Sequence, residues 1–402
     1  MLAQERVEEV VQLCSSLVKI PSFSGEEQKI AIYIKQYAEE IGFDEVKIDE
    51  LGNVAAIING VEDGPTVLLD GHIDTVRVQE SNWSKNPFSG DVRDGKIYGR
   101  GTSDMKGAVS AMLLAASYYA KDRKKKFPGK LIVSCSVHEE CFEGVATRNV
   151  SVQYKPDFVV IGEATNLQLN NGQRGRAEIL LETFGKPAHS SNPEAGINAV
   201  NKMVKLLSKI QNLETNNHPV LGKGILELTD IISSPYPGAS VIPSRASVTF
   251  DRRLLVNETR ESVLQPIQEL IEESMKEDPE LKAEVSFSRG SESCYTDTII
   301  EAERFFPAWL YDESEPFIEK TFQNLKTILP ETTMSHYSFC TNGSHFAGEA
   351  NIPTIGFGPS LEKLAHIDNE YIEIDQLKKS VIGYISIIET LINLNDKGNA
   401  HV

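Results

Sequence analysis

The sequence predicts an α/β protein with a central sheet, interrupted by an α+β insertion. Three observations predict it. Short apolar, β-branched runs alternate with helical patterns over residues 45–162 and again from about Phe306, as strands covered by helices do. Between about Ala177 and Arg289 the candidate strands alternate apolar and polar residues instead, the pattern of a half-exposed sheet. Two of the buried runs end in charge, at Asp70-Gly71-His72-Ile73-Asp74 and at His138-Glu139-Glu140, and sites in α/β domains form at strand ends.

The elements follow in order. The opening reads helix, turn, helix, with apolar residues Val7, Val10, Val11, Leu13, Cys14 and Leu17 on one face. Ser24 followed three residues later by Glu27 reads as a capping box that starts the second helix. Strands are expected at 45–48, 54–58, 66–70, 130–136 and 157–162, with a small, apolar, buried helix over 107–119. In the insertion, strands are expected at 177–185 and 247–253, and helices at 196–211 and 261–275. A strand at 354–357, a loop over 358–369 and a helix over 374–394 return to the first domain. The expected division is 1–176 with 294–402 as the metal-binding domain, and 177–293 as the insertion.

Bulk properties narrow the function. The chain has 402 residues, 40% hydrophobic and 24% charged, enough for two domains with a sizeable core. A net charge of −18 argues against nucleic-acid binding. The basic run Lys121 to Lys126 reads as a solvated helix end. No apolar run reaches the length of a membrane span, and the N-terminal residues lack the pattern of a signal peptide. Cys14, Cys135, Cys141, Cys294 and Cys340 are odd in number and have no CxxC spacing, which reads as reduced thiols in a cytoplasm.

Charge at the end of a buried strand needs a partner, because desolvating it alone is costly. A divalent cation supplies one. The candidate ligands are His72, Asp104, Glu140, Glu163 and His366. Imidazole and carboxylate donors without cysteine suit zinc, manganese or cobalt. One carboxylate can bridge two ions about 3.5–4 Å apart, so five such residues could hold a pair. Glu139 and Glu140 split most simply into one ligand and one general base. Asp74, two residues after His72, is placed to accept the second imidazole N–H. Each motif alone has an ordinary surface explanation. Together they point to a hydrolytic metal site.

The motifs Gly71-His72-Ile73-Asp74-Thr75-Val76, Gly99-Arg100-Gly101-Thr102-Ser103-Asp104-Met105-Lys106-Gly107, Glu139-Glu140, Gly358-Pro359 and Ala365-His366-Ile367-Asp368-Asn369-Glu370 carry a resemblance. The chain resembles the co-catalytic metallopeptidase and deacylase family of aminoacylase, acetylornithine deacetylase and succinyl-diaminopimelate desuccinylase, from about Val11 to Leu391. Leu221-Gly222-Lys223-Gly224, Phe305-Phe306-Pro307-Ala308-Trp309 and Phe339-Cys340-Thr341-Asn342-Gly343 look like its branch linked to bacterial selenium-metabolism and purine-catabolism gene clusters.

The resemblance implies a zinc-peptidase-like catalytic domain with a central mixed sheet. The insertion becomes a ferredoxin-like lid and dimerisation domain, which makes a homodimer. Two divalent ions per chain are implied, zinc first, with cobalt or manganese next. His72 and Glu163 would serve one ion, Glu140 and His366 the other, and Asp104 would bridge. Glu139 would be the general base and Asp74 the orienter. His189, in Lys186-Pro187-Ala188-His189, would hold the oxyanion. Arg253 and Arg174 would bind a substrate carboxylate, and Ser240, Asn342 and Gly343 would line the pocket. The implied reaction is hydrolysis of a C–N amide bond in a small carboxylate-bearing substrate of the N-acyl amino acid type. A dipeptidase, a carboxypeptidase or a carbamoyl-amino-acid amidohydrolase is the alternative within enzymes. A non-catalytic binding protein on the same fold is the alternative outside them, and such a protein would have lost ligands or the base.

Overall fold

The computed structural model describes residues 2–394. The chain divides into two compact units: residues up to Gln173, Ser291–Ile300 and Trp309 onward form one, and Arg174–Gly290 with Glu301–Ala308 form the other. The second unit thus starts three residues before the expected insertion. It also takes in Phe305–Phe306, because that short strand pairs with Gly175–Phe184.

The first unit is built on a nine-stranded mixed sheet. Four neighbouring strands at its centre are parallel, in the order Pro128–Ser136, Glu62–His72, Phe158–Ile161, Thr354–Gly356. Glu45–Ile48 and Val54–Asn59 extend one side antiparallel, and Leu169–Gln173 starts the other. The parallel strands are buried on both faces, which explains their continuous apolar runs. Val67, Leu68, Leu69, Leu131, Ile132, Val133, Val159 and Val160 are fully buried.

Helices cover both faces. Gln4–Val18 buries Val10, Leu13, Cys14 and Leu17, a stripe at helical spacing. Gly107–Asp122 is buried all round from Gly107 to Ala120, so its small residues serve close packing rather than amphipathicity. It packs against Ile374–Ile392. The Gly71 backbone lies so near this helix that a Cβ there would come within 2.7 Å of Met105 Cε and 2.8 Å of Met112 Cε.

The expected capping box does not form. The second helix, Gln28–Glu40, starts later, with Glu27 at its N-cap position and no side-chain cap. Ser24 and Glu27 are recruited by tertiary partners instead.

The second unit runs strand, helix, strand, strand, helix, strand. Its antiparallel sheet has the order Ile225–Ser234, Arg245–Leu254, Gly175–Phe184, Lys282–Phe287, which is the ferredoxin-like arrangement. Ala199–Ile210 and Arg260–Glu277 cover one face. Ala177, Ile179, Leu181, Met203, Leu206, Val248, Phe250 and Ile267 form the core between. Arg260–Glu277 does carry a capping box, between Thr259 and Ser262.

No helix among the described residues is long and apolar enough to cross a membrane. Among those residues no disulfide joins the five cysteines.

Candidate metal centre

The four parallel strands all deliver a side chain at their carboxyl ends. Glu62–His72 ends on His72 itself. Pro128–Ser136 leads into Glu139 and Glu140, Phe158–Ile161 into Glu163, and Thr354–Gly356 into the loop bearing His366. Register aligns them: Asp70 lies opposite Ser134 and Ile161, and His72 opposite Ser136. Parallel strands that stop level with one another form a crevice at that edge. Asp104 enters it from the loop before the buried Gly107–Asp122 helix. That loop turns at Gly101, whose φ of +85° needs a residue without a Cβ.

Two clusters result, His72 with Asp104 and Glu163, and Asp104 with Glu140 and His366, each with ligand atoms within 4.8 Å of one another. His72 Nε2 lies 2.8 Å from Asp104 Oδ1 and 3.4 Å from Glu163 Oε1. His366 Nε2 lies 3.0 Å from Asp104 Oδ2 and 2.9 Å from Glu140 Oε2. Asp104 therefore turns one oxygen to each cluster.

The electrostatics are those of crowded acids. Burial resists the charge on His72, but hydrogen bonds that its ring donates to Asp104, Asp74 and Glu163 hold its pKa well above the usual imidazole value. Asp104 and Glu140 push His366 up to about 10. Burial and the Asp104 charge push Glu140 up to about 7. Glu163 is raised by the same two causes. Both imidazoles are driven toward their charged form because the site lacks positive charge of its own. An all-nitrogen-and-oxygen donor set with one carboxylate shared between two clusters fits a pair of divalent cations.

Glu139 belongs to neither cluster. It is buried, and burial holds its carboxyl pKa well above normal, with the Glu163 and Glu140 charges adding and His72 opposing. Its backbone is fixed by Asp74. Asp74 Oδ1 accepts from Glu139 N at 3.1 Å, and Oδ2 accepts from Glu140 N at 3.2 Å and from Ser24 Oγ at 2.7 Å. His72 Nδ1 faces the Asp74 backbone oxygen at 2.9 Å, closer than its carboxylate at 3.4 Å. Asp74 thus orients His72 mainly through its main chain, and its carboxylate serves the Glu139-Glu140 turn. Glu27 Oε1 accepts from Gly25 N at 3.0 Å and more loosely from His138 N at 3.4 Å. Asn53 Oδ1 accepts from Val137 N. Nothing local in the sequence marks Ser24, Glu27 or Asn53 for this task.

The remaining expected site residues are placed as follows. Asn342 is buried and its amide hydrogens go to Asp70 Oδ2 and Ser136 Oγ, both at 2.8 Å, while its Oδ1 accepts from Gly144 N. Both donors are thus occupied within the protein, and Asn342 ties its loop to the ends of two central strands. Gly343 follows it, with its N–H on Thr341 Oγ1.

His189, Arg174, Ser240 and Arg253 belong to the second unit. His189 is exposed, and its Nδ1 accepts from Ser191 N at 3.1 Å, so the neutral ring carries its proton on Nε2. His189 bridges to Val241, and Ser240 O accepts from Ser190 N. Arg253 stands opposite Arg176 on the sheet face away from the helices, with its Nε on Asp251 Oδ1 at 2.8 Å. Neighbouring Arg252 is buried and paired with Glu258 at 2.6 Å. Arg174 Nε donates to Leu221 O.

Fold and site together define a metallohydrolase acting on amide or peptide bonds. Residues 68–390 match the model of peptidase family M20/M25/M40, and the chain belongs to that family. It is 33% identical over 375 residues to YgeY of Escherichia coli (strain K12), a protein of uncharacterised function, covering 92% of this chain and 91% of that one. It is 28% identical to the N-formyl-4-amino-5-aminomethyl-2-methylpyrimidine deformylase of Halalkalibacterium halodurans, covering 92% and 91%. The fold also matches the crystal structure of Bacillus subtilis YXEP, a dinuclear metal-binding peptidase, with a TM-score of 0.69 at 15% identity over 96% of this chain and 99% of that one.

Proposed function

We propose that this chain removes a small acyl group from nitrogen, hydrolysing the C–N amide bond of a carboxylate-bearing substrate of the N-acyl amino acid type. The observation that carries the reading is Asp104, one oxygen facing His72 and the other His366, beside the buried Glu139. His72, Asp104 and Glu163 would hold one divalent ion, and Asp104, Glu140 and His366 the other. The donor set favours zinc, with cobalt or manganese as substitutes. When bound, such ions supply Lewis acidity at the amide oxygen and acidify the attacking water.

The protein's own groups do the rest. Glu139 takes the water proton on its carboxylate and returns it to the departing nitrogen, which suits a carboxyl whose pKa is raised toward the working pH. Asp74 keeps Glu139 aimed by gripping its N–H. His189 Nε2–H donates to the oxygen of the tetrahedral adduct, and Arg253 and Arg174 clamp the substrate carboxylate as planar forks do. The deformylase of Halalkalibacterium halodurans, which by its name removes a formyl group from nitrogen, supports the acyl-removal reading.

The second unit is proposed as lid and dimerisation domain. Its edge strand Ile225–Ser234 is long and exposes Ile225, Leu228, Ile231 and Ile232. Monomers rarely leave such an edge uncovered, and a second copy pairing edge to edge around a two-fold axis would cover it. A cytoplasmic setting suits the five thiols.

The test is a substrate panel of N-formyl, N-acetyl and N-succinyl amino acids, dipeptides and ureido acids. The protein is stripped by a chelator and reloaded with zinc, manganese or cobalt. N-acyl amino acids should be cleaved best, the stripped protein should be inactive, and elemental analysis should approach two ions per chain. Preference for dipeptides or ureido acids would replace the substrate assignment. Full activity without metal would overturn the mechanism.

A further inference from the structure

We propose that Glu370 is a positioning residue that sets the Asp104 loop against the His366 segment, and so governs the ion position served by Asp104, Glu140 and His366. The proposal rests on the paired-ion reading above. Glu370 is fully buried, yet four residues after His366 it makes no contact expected of a surface acid. Its carboxylate is filled by donors from one loop. Oε1 accepts from Ser103 N at 2.7 Å and from Asp104 N at 3.2 Å. Oε2 accepts from Gly101 N at 3.1 Å and from Arg100 Nη1 at 2.7 Å. The Glu370 carbonyl accepts from Gly99 N in turn.

The strap runs both ways. The same Arg100 Nη1 reaches Ile367 O at 3.3 Å, one residue past His366. Ser103 Oγ donates to Tyr371 O at 2.7 Å, one residue past Glu370. The loop bearing Asp104 and the segment bearing His366 are therefore tied to each other through buried, charge-assisted hydrogen bonds. His72 and Glu163, by contrast, are placed by sheet strands.

A carboxylate is the one side chain of this size that offers acceptors on both oxygens. Glu370→Gln turns one of them into a donor that faces N–H groups already there. Either the buried donors stay unpaired or the loop shifts. Of the two clusters, Asp104/Glu140/His366 has two members on strapped segments and His72/Asp104/Glu163 has one. The first should suffer most.

The experiment is equilibrium dialysis of the full-length protein against buffered zinc and cobalt, with elemental analysis and the cobalt(II) absorption spectrum as readouts. Wild type, Glu370→Gln and Arg100→Lys are compared. Glu370→Gln should weaken one of the two binding events by roughly 10–100-fold, as losing a partner that orients a ligand does, and change the other much less. Arg100→Lys keeps the three backbone donors on Glu370 and should show the same order with a smaller loss, which covers the case in which Glu370→Gln does not fold. Two unchanged affinities in the folded variants, or equal weakening of both, would overturn the positioning role. A wild-type protein that never binds two ions would overturn the paired-ion reading and this proposal with it, and is distinguishable because the defect appears before any substitution.

Discussion

Replacing Glu139 by glutamine isolates proton transfer from everything else at the site. The two side chains have the same shape, so no cavity opens and the packing contribution to stability is unchanged. Glu139 lies in neither ligand cluster, so the cation positions keep all their donors. Its N–H remains gripped by Asp74 Oδ1 at 3.1 Å, so the turn carrying Glu140 should not move. What is lost is an acceptor for the proton of the attacking water. A positioned general base contributes roughly 10²–10⁴-fold, which is about 3–5 kcal/mol of barrier. Glu139→Gln should therefore lower kcat by that factor, with KM changed little and two ions retained. Steady-state kinetics on the best panel substrate, with metal analysis of the same preparation, measures it. A fall of less than about tenfold with the ions in place would refute the base assignment. Loss of an ion would show that Glu139 is a ligand and that Glu140 is the base.

Two further predictions concern His189 of the second unit and an ion pair of the first. Mixed dimers of His189→Ala and Glu139→Gln chains should recover part of the activity if His189 serves the partner's site, since one hybrid site then has both groups; no recovery after verified subunit exchange would place His189 in its own chain or outside the reaction. At Glu349, burial opposes charge, but His345 at 2.9 Å and the two-point contact of Arg148 hold the carboxyl down at about 2 against an ordinary 4.5. A depressed carboxyl stabilises the fold above 4.5, and that stability is lost as pH falls toward 2. Glu349→Gln should therefore flatten the pH dependence of the unfolding free energy from urea melts between about pH 6 and about pH 3.5, by roughly 1 kcal/mol or less once solvent screening of this partly exposed group is allowed for. A variant with the wild-type slope would refute the pairing.

The sequence alone determined the α/β class, most of the central strands and the five residues that gather into two clusters at the strand ends. The reason is physical: a strand buried on both faces must be apolar along its length, so a histidine or carboxylate at its end stands out against the run. Exposed elements left weaker marks. Ile225–Ser234 carries no alternation in its sequence, because an edge strand exposed over most of its length has no buried face to impose one. Only the tertiary structure decided which polar residues serve the site. Ser24 and Glu27 carry a helix-start pattern, but the crevice offers Asp74 Oδ2 and the His138 N–H as partners, and the cap is not formed. The amide of Asn342 goes to Asp70 and Ser136, more than a hundred residues away in the chain. Glu370 reads as one more acid near a histidine until five donors from residues 100–104 surround it. Local pattern records what a side chain can bond to. Which of the competing partners it does bond to depends on what the fold brings within 3 Å or so.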